Sequence, residues 1–179
     1  MYAEMAGGSG GPGDGTGNDI IVNGIVNSTT LCSDPGTQAS SITVANTTVG
    51  GTDISWTPGA IATGSIVVIR PTASANLIPS DGTNYTPNTA WGSAGQIDVN
   101  NRVIYRSNGS SVTGITGLLP ETSYTITVYA YNGGGTNICY NTGTPESITF
   151  MTLAAEATAH AATFTCLTAS ATTINLSFS

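Results

Sequence analysis

The sequence predicts an all-β protein built as an antiparallel sandwich. Three observations carry this expectation. Short apolar, β-branched runs recur from residue 41 to residue 152. Clusters of Gly, Pro, Asn and Ser separate them. No window spaces its apolar residues as a helix requires. About seven short strands punctuated in this way are the signature of a sandwich.

The runs are taken in order. Residues 41–46 (SITVAN) open the set. Residues 52–57 (TDISWT) follow, with Ile54 and Trp56 on one face. Residues 65–69 (SIVVI) are continuously apolar, as a central strand is when both its faces are covered. Residues 77–101 form a loop of roughly 25 residues, longer than connections usually run. It contains Tyr85 and Trp91, and it is expected to be ordered and held by Trp91 and Ile97. Residues 102–106 and 111–116 are the next two strands. Residues 124–132 alternate cleanly, with Tyr124, Ile126, Val128 and Ala130 on one face and Thr125, Thr127, Tyr129 and Tyr131 on the other. Residues 147–152 close the set. Upstream, residues 1–18 are Gly-rich and read as a flexible linker. Residues 19–26 (DIIVNGIV) read as one strand, or as two short strands around the Asn23-Gly24 turn.

Composition narrows the function classes. Only 7% of the 179 residues are charged, against roughly 25% in an average soluble domain. There is no lysine, and the basic residues are Arg70, Arg102 and Arg106. The surface must therefore be built from hydroxyls and amides, a composition frequent in secreted and surface-exposed β-proteins. The net charge is -7, and phosphate binding depends on clustered Lys and Arg. Nucleic acid is thus excluded as an expected partner, and so is an anionic membrane surface. No run of 18 apolar residues provides a membrane span. The opening MYAEMAGGSGG lacks the basic and apolar regions of a signal peptide. The expected location is extracellular or at the cell surface, with either an export signal removed ahead of Met1 or the start of the chain trimmed.

Residues 117–132 read GLLPETSYTITVYAYN. This resembles the corner between strands E and F of fibronectin type III domains, through Leu118, Pro120, Thr122, Tyr124, Val128, Ala130 and Asn132. The resemblance puts Tyr124 at the tyrosine-corner position, where a phenol hydroxyl bonds backbone across the corner. It puts Trp56 at the core tryptophan of strand B. The excursion DGTNYTPNTAWGSAGQI and the following NRVIYRSNG are similar to a subfamily common in large secreted bacterial surface proteins, where such an insertion lies between strands C and E. The resemblance covers roughly residues 38–152. It implies a fibronectin type III-like, immunoglobulin-like antiparallel sandwich in which Trp56, Tyr124, Leu118 and Pro120 are structural residues. Its members serve as spacers, adhesive modules and enzyme accessories, so the fold does not select a function. In this topology the start of strand A and the F–G hairpin share a pole. That implies a disulfide between Cys32, ahead of the first strand, and Cys139, after strand F.

A second feature is internal. Residues 160–179 align without a gap on residues 38–57, an offset of 122 (160 minus 38). Ala39, Thr43 and Ser55 recur as Ala161, Thr165 and Ser177. Ile42, Ile54 and Trp56 become Phe164, Leu176 and Phe178. The chain therefore divides into an N-terminal extension with a spare strand (1–37), a fibronectin type III-like domain (38–152) and the start of a second repeat, strands A and B only (153–179). Two strands are expected there, at residues 163–167 and 173–179. Cys166 aligns with Val44 and reads as a core thiol.

No constellation for catalysis emerges. His160 is the one histidine; it aligns with Gln38 and reads as a polar residue at a strand start. The ten acidic residues form no recognisable pair. GDGTGND (13–19) and PSDGTNY (79–85) loosely resemble calcium loops, through Asp14, Asp19 and Asp81, but lack the spaced acidic ligands of such a site and read as turns. Tyr85, Trp91, Tyr105, Tyr129 and Tyr131 either form an exposed sugar-binding patch or support the long excursion. Asn27, Asn46, Asn84, Asn108 and Asn175 each begin an N-x-S/T triplet. The expected function is a non-catalytic structural or adhesive surface protein with no cofactor and no metal. Its expected partners are copies of itself through strand pairing, as in a filament subunit, and then surface glycans. The alternative is a spacer or carbohydrate-binding accessory module of a larger secreted enzyme.

Overall fold

The computed structural model describes residues 21–22, 25–26, 32–156, 164–169 and 174–178. The strands in chain order are β1 (Ile21–Val22), β2 (Ile25–Val26), β3 (Ser40–Ala45), β4 (Thr52–Thr57), β5 (Gly64–Pro71), β6 (Gly95–Gln96) and β7 (Arg102–Ser107). They continue with β8 (Ser111–Ile115), β9 (Ser123–Gly134), β10 (Asn137–Tyr140), β11 (Glu146–Met151), β12 (Phe164–Ala169) and β13 (Ile174–Phe178). One 3₁₀ turn, Trp91–Ser93, lies in the excursion. Every pairing between these strands is antiparallel.

Two sheets make the sandwich. The smaller has the order β3-β4-β8. The larger has the order β10-β9-β5-β7-β6, with β11 also paired to β9. The core between them contains Ile42, Ile54, Trp56, Val67, Ile69, Ile104, Val112, Ile115, Leu118, Tyr124, Ile126 and Val128. Along β4, β5 and β9 these are alternate positions, as the pleat requires; Val112 and Ile115 of β8 stand three apart where its pairing with β4 shifts register, and Leu118 follows β8. The fold is the all-β sandwich that the runs and turn signals predicted.

The larger sheet departs from simple alternation. Six consecutive residues of β5, Gly64 to Ile69, are buried, and so are eight of β9, Tyr124 to Tyr131. The outer face carries a second apolar cluster of Ile66, Val68, Val103, Tyr129, Tyr131, Ile138 and Tyr140, against which Tyr85 and Ile97 pack. The excursion and β10 supply this cover.

Two strands, β6 and β10, are not foreshadowed by the sequence pattern. Both are short and flanked by Gly or Asn. β10 folds back on β9 through a hairpin in which Gly133 (φ 80) takes a left-handed conformation. A Cβ there would also collide with the Asn137 carbonyl. Within residues 19–26 the described pairs agree with the second of the two readings: β1 pairs with β2, with Ile21 opposite Val26 and Val22 opposite Ile25.

The hairpin β12–β13 repeats the register of β3–β4. Thr43 pairs with Ser55 and Val44 with Ile54. At the offset of 122, Thr165 pairs with Ser177 and Cys166 with Leu176. The sequence alignment and the strand pairing thus agree at those positions.

Candidate functional site

The sandwich has two poles, each tied by side-chain hydrogen bonds. At the first pole the lead-in segment, residues 32–39, meets the β9–β10 hairpin and the β4–β5 loop. Cys32 and Cys139 are joined by a disulfide with a Cα–Cα separation of 5.7 Å. The Cys32 N–H donates to Asn137 Oδ1 at 2.9 Å, Asn132 Nδ2 donates to the Ser33 carbonyl at 3.1 Å, and Asn141 Nδ2 donates to the Pro35 carbonyl at 2.7 Å. Gln38 spans the junction: its Nε2 donates to the carbonyls of Asn141 at 2.5 Å and Gly143 at 3.0 Å, and its Oε1 accepts the Ala130 N–H at 3.0 Å.

Asp34, Asp81 and Cys139 offer ligand-type atoms within 4.8 Å of one another. The donor set does not fit a metal. The Cys139 sulfur is spent in the disulfide, and an Asp81 oxygen accepts the Tyr140 N–H at 2.8 Å. What is left is a pair of exposed carboxylates at a turn. Asp81 thus ties the excursion to β10.

At the second pole, Tyr124 places its hydroxyl to accept the Leu119 N–H at 3.0 Å. Its ring stacks on Phe150 at 6.0 Å and meets Trp91 edge-on at 5.6 Å. Leu118 is buried in the core, while Pro120 is exposed and its carbonyl accepts the Thr122 hydroxyl at 2.8 Å. Trp56 is buried, its N–H donates to Ser65 Oγ at 3.0 Å, and its ring meets Tyr105 edge-on at 5.0 Å.

The exposed aromatic patch is not there. Tyr129 has no exposed surface and Tyr131 is 8% exposed. Parity puts them on the outward face of the large sheet, as read from the sequence, but residues 77–101 cover that face. The five aromatics divide between two clusters. Trp91 and Tyr105 pack against the inner core, and Tyr85 against the outer one. Of the expected pair that holds the excursion, Trp91 thus serves the inner cluster and Ile97 the outer. Burial pushes the Tyr140 phenol up to about 12 and raises those of Tyr129 and Tyr131.

Sequence reasoning missed the clasp that holds the excursion. Asn101 is fully buried. Its Nδ2 donates to the Ala75 carbonyl at 3.0 Å and its Oδ1 accepts the Leu77 N–H at 3.3 Å. Asp98 accepts from Asn101 Nδ2 at 2.9 Å and from the N–H groups of Asn100 at 2.9 Å and Asn101 at 2.6 Å. The Asn101 side-chain donor, helped by the two backbone N–H groups, lowers the Asp98 carboxyl below its ordinary range. The D-V-N-N string was the available signal, since Asp and Asn cap turns in this way. Two of the three arginines are likewise engaged: Arg70 donates to the carbonyls of Pro71, Thr72 and Ser74, and Arg102 lies over the Trp91 ring at 5.7 Å, whereas Arg106 Nε is buried without a hydrogen-bond partner among the described residues.

Asn46, Asn84 and Asn108 are exposed. Asp14, Asp19, Asn27 and His160 lie outside the described residues, and Cys166 and Asn175 are described only through their strands. No helix among the described residues is long and apolar enough to cross a membrane.

No family model and no curated protein sequence matches the chain. Among solved structures it is similar to a computationally redesigned β-sandwich protein, at 21% identity, with 69% of this chain and 96% of that one covered and a TM-score of 0.47.

Proposed function

We propose that this chain is a non-catalytic structural or adhesive protein of the extracellular surface. Its sandwich is of the fibronectin type III kind, and it associates with copies of itself by strand pairing. The observation that carries this reading is the hairpin β12–β13. It repeats the register of β3–β4, yet forms a two-stranded sheet of its own. A lone two-stranded hairpin is marginal in water, so further strands have to come from outside residues 164–178. A neighbouring copy supplies them in this reading, by adding strands to an open sheet edge. A head-to-tail contact of that kind extends into a filament unless its rotation closes a ring.

The polar side chains support a structural role. Gln38, Asp53, Asp81, Asn101 and Glu146 bond backbone N–H or carbonyl groups of other segments, and Asp98 caps its own turn. Asp81 has the Asp34 carboxylate within 4.8 Å, but both are exposed at a turn, whereas catalysis calls for such groups to converge in a cleft. The burial of Tyr129 and Tyr131 argues against glycan capture on that face.

The test is assembly of the full chain and of two truncations, lacking residues 154–179 or 1–26, followed by light scattering and electron microscopy. Strand pairing predicts assembly of the parent and its loss in the first truncation. Equal assembly of all three proteins refutes it.

A further inference from the structure

We propose that the Cys32–Cys139 disulfide makes the sandwich a nearly inextensible link when tension is applied through its two ends. The inference rests on where the bridge sits in the chain. Cys32 precedes the first strand of the sandwich, and Cys139 lies in β10, just ahead of the final strand β11. The two cysteines are 107 residues apart. Tension entering from the N-terminal side therefore passes through the sulfurs into β10. It bypasses the backbone from β3 to β9, which lies inside the covalent loop and cannot be drawn out while the bridge is closed.

Only the chain after Cys139 is left to resist, and it is fixed along its length. The Tyr140 N–H donates to Asp81, and the Asn141 N–H donates to the Ala130 carbonyl at 2.9 Å. Asn141 is also bonded to Gln38 and Pro35. Next, β11 pairs with β9 from Glu146 opposite Val128 to Met151 opposite Ser123. The Glu146 carboxylate accepts the N–H groups of Ser41 at 2.8 Å and Ile42 at 3.3 Å. At the far end the Thr152 hydroxyl donates to the Leu119 carbonyl at 2.6 Å, and the Leu153 N–H donates to the Thr48 carbonyl at 3.0 Å.

The direction of pull matters as much as the bonds. β11 starts at the pole that holds the disulfide and ends at the opposite pole, where the chain leaves. Tension between Cys139 and residue 153 therefore runs along β11 and shears it against β9. The rungs of the ladder are loaded together and not opened one after another.

The lengths differ enough to measure. A fully extended chain spans at most about 3.3–3.6 Å per residue, so the roughly 13 residues from Cys139 to Thr152 can release no more than about 45 Å. With the bridge open, the roughly 120 residues from Cys32 to Thr152 release about 400 Å. The disulfide thus cuts the available extension about ninefold. The use of this property in a surface protein under tension rests on the function proposed above; the measurement does not.

The experiment is single-molecule stretching of the full chain, held by handles at residues 1 and 179. Under oxidising conditions the sandwich should show no step longer than about 45 Å. Adding a thiol reductant to the same tethers should produce steps near 400 Å, and Cys32→Ser should reproduce them without reductant. Should that variant fail to fold, the reduced wild-type chain alone makes the comparison. Long steps in the oxidised chain overturn the proposal, and so do short steps after reduction. Either set of steps is indifferent to whether the chain assembles, so failure here and failure of the strand-pairing reading are told apart.

Discussion

Trp56 buries its indole between two sheets and keeps its N–H satisfied by Ser65 Oγ. Truncation to alanine removes both the packing and the bond and leaves a cavity. Trp56→Ala should therefore cost about 3–5 kcal/mol, read as a lower denaturant midpoint at constant slope. An unchanged midpoint would remove Trp56 from the core. Tyr124→Phe is the finer test. The ring packing on Trp91 and Phe150 survives, but the Leu119 N–H loses its acceptor. A cost of about 1 kcal/mol or more is expected, as for a donor left without its acceptor. Alternation along their runs placed each on a face of its strand, and the resemblance implied the core role of Trp56 and the corner role of Tyr124. The pairing of Cys32 with Cys139 was another matter. It came from the resemblance, since neither spacing nor composition selects a partner among three thiols.

The excursion is the element the sequence described least well. Parity along β9 fixes which face Tyr129 and Tyr131 share, but not whether anything covers that face. Cover came from residues that carry no periodic signal, held by Asn101 and Asp98 and not by strand pairing alone. β6 and β10 escaped for a related reason: a strand of two or four residues is too short to show alternation. The tyrosines beneath the cover respond to the state of the clasp. Their folded-state pKa values are raised by burial, so they contribute stability that is full below about pH 10. That contribution is lost as pH rises through the folded value, about 12 for Tyr140. Asn101→Ala cuts the bonds to Ala75 and Leu77 and should let the excursion lift. The ultraviolet titration of the buried phenols should then move towards about pH 10, the ordinary tyrosine value. A titration curve identical to that of the parent would show that the clasp does not hold the cover. In acid the sign reverses. Asp98 has a lowered folded-state value, so its contribution is full above the ordinary aspartate range and fades as pH falls through the folded value. Amide exchange in residues 75–101 should accelerate there before exchange in β5 or β9.

At the scale of the whole molecule the covalent loop and the terminal hairpin have separable effects. Closing about 100 residues removes roughly 4–5 kcal/mol of chain entropy from the unfolded state in the loop-closure account. Reduction should lower stability by a comparable amount while the circular dichroism of the sandwich persists. The hairpin β12–β13 should behave in the opposite way. Among the residues whose side chains the structure describes, both apolar clusters of the sandwich are built from residues between Ala39 and Phe150. The strands that carry them end at Met151, and Leu153 completes the second pole through its bonds to Thr48 and Glu121. Removing residues 154–179 should therefore leave the melting temperature of the sandwich within about 2 °C of the parent, since the melting shift follows the stability lost and none is expected. The same deletion should abolish self-association. A destabilised sandwich would show that the hairpin packs on it within one chain, as a third cover. A stable sandwich that still assembles would move the interface from the hairpin to the sandwich itself.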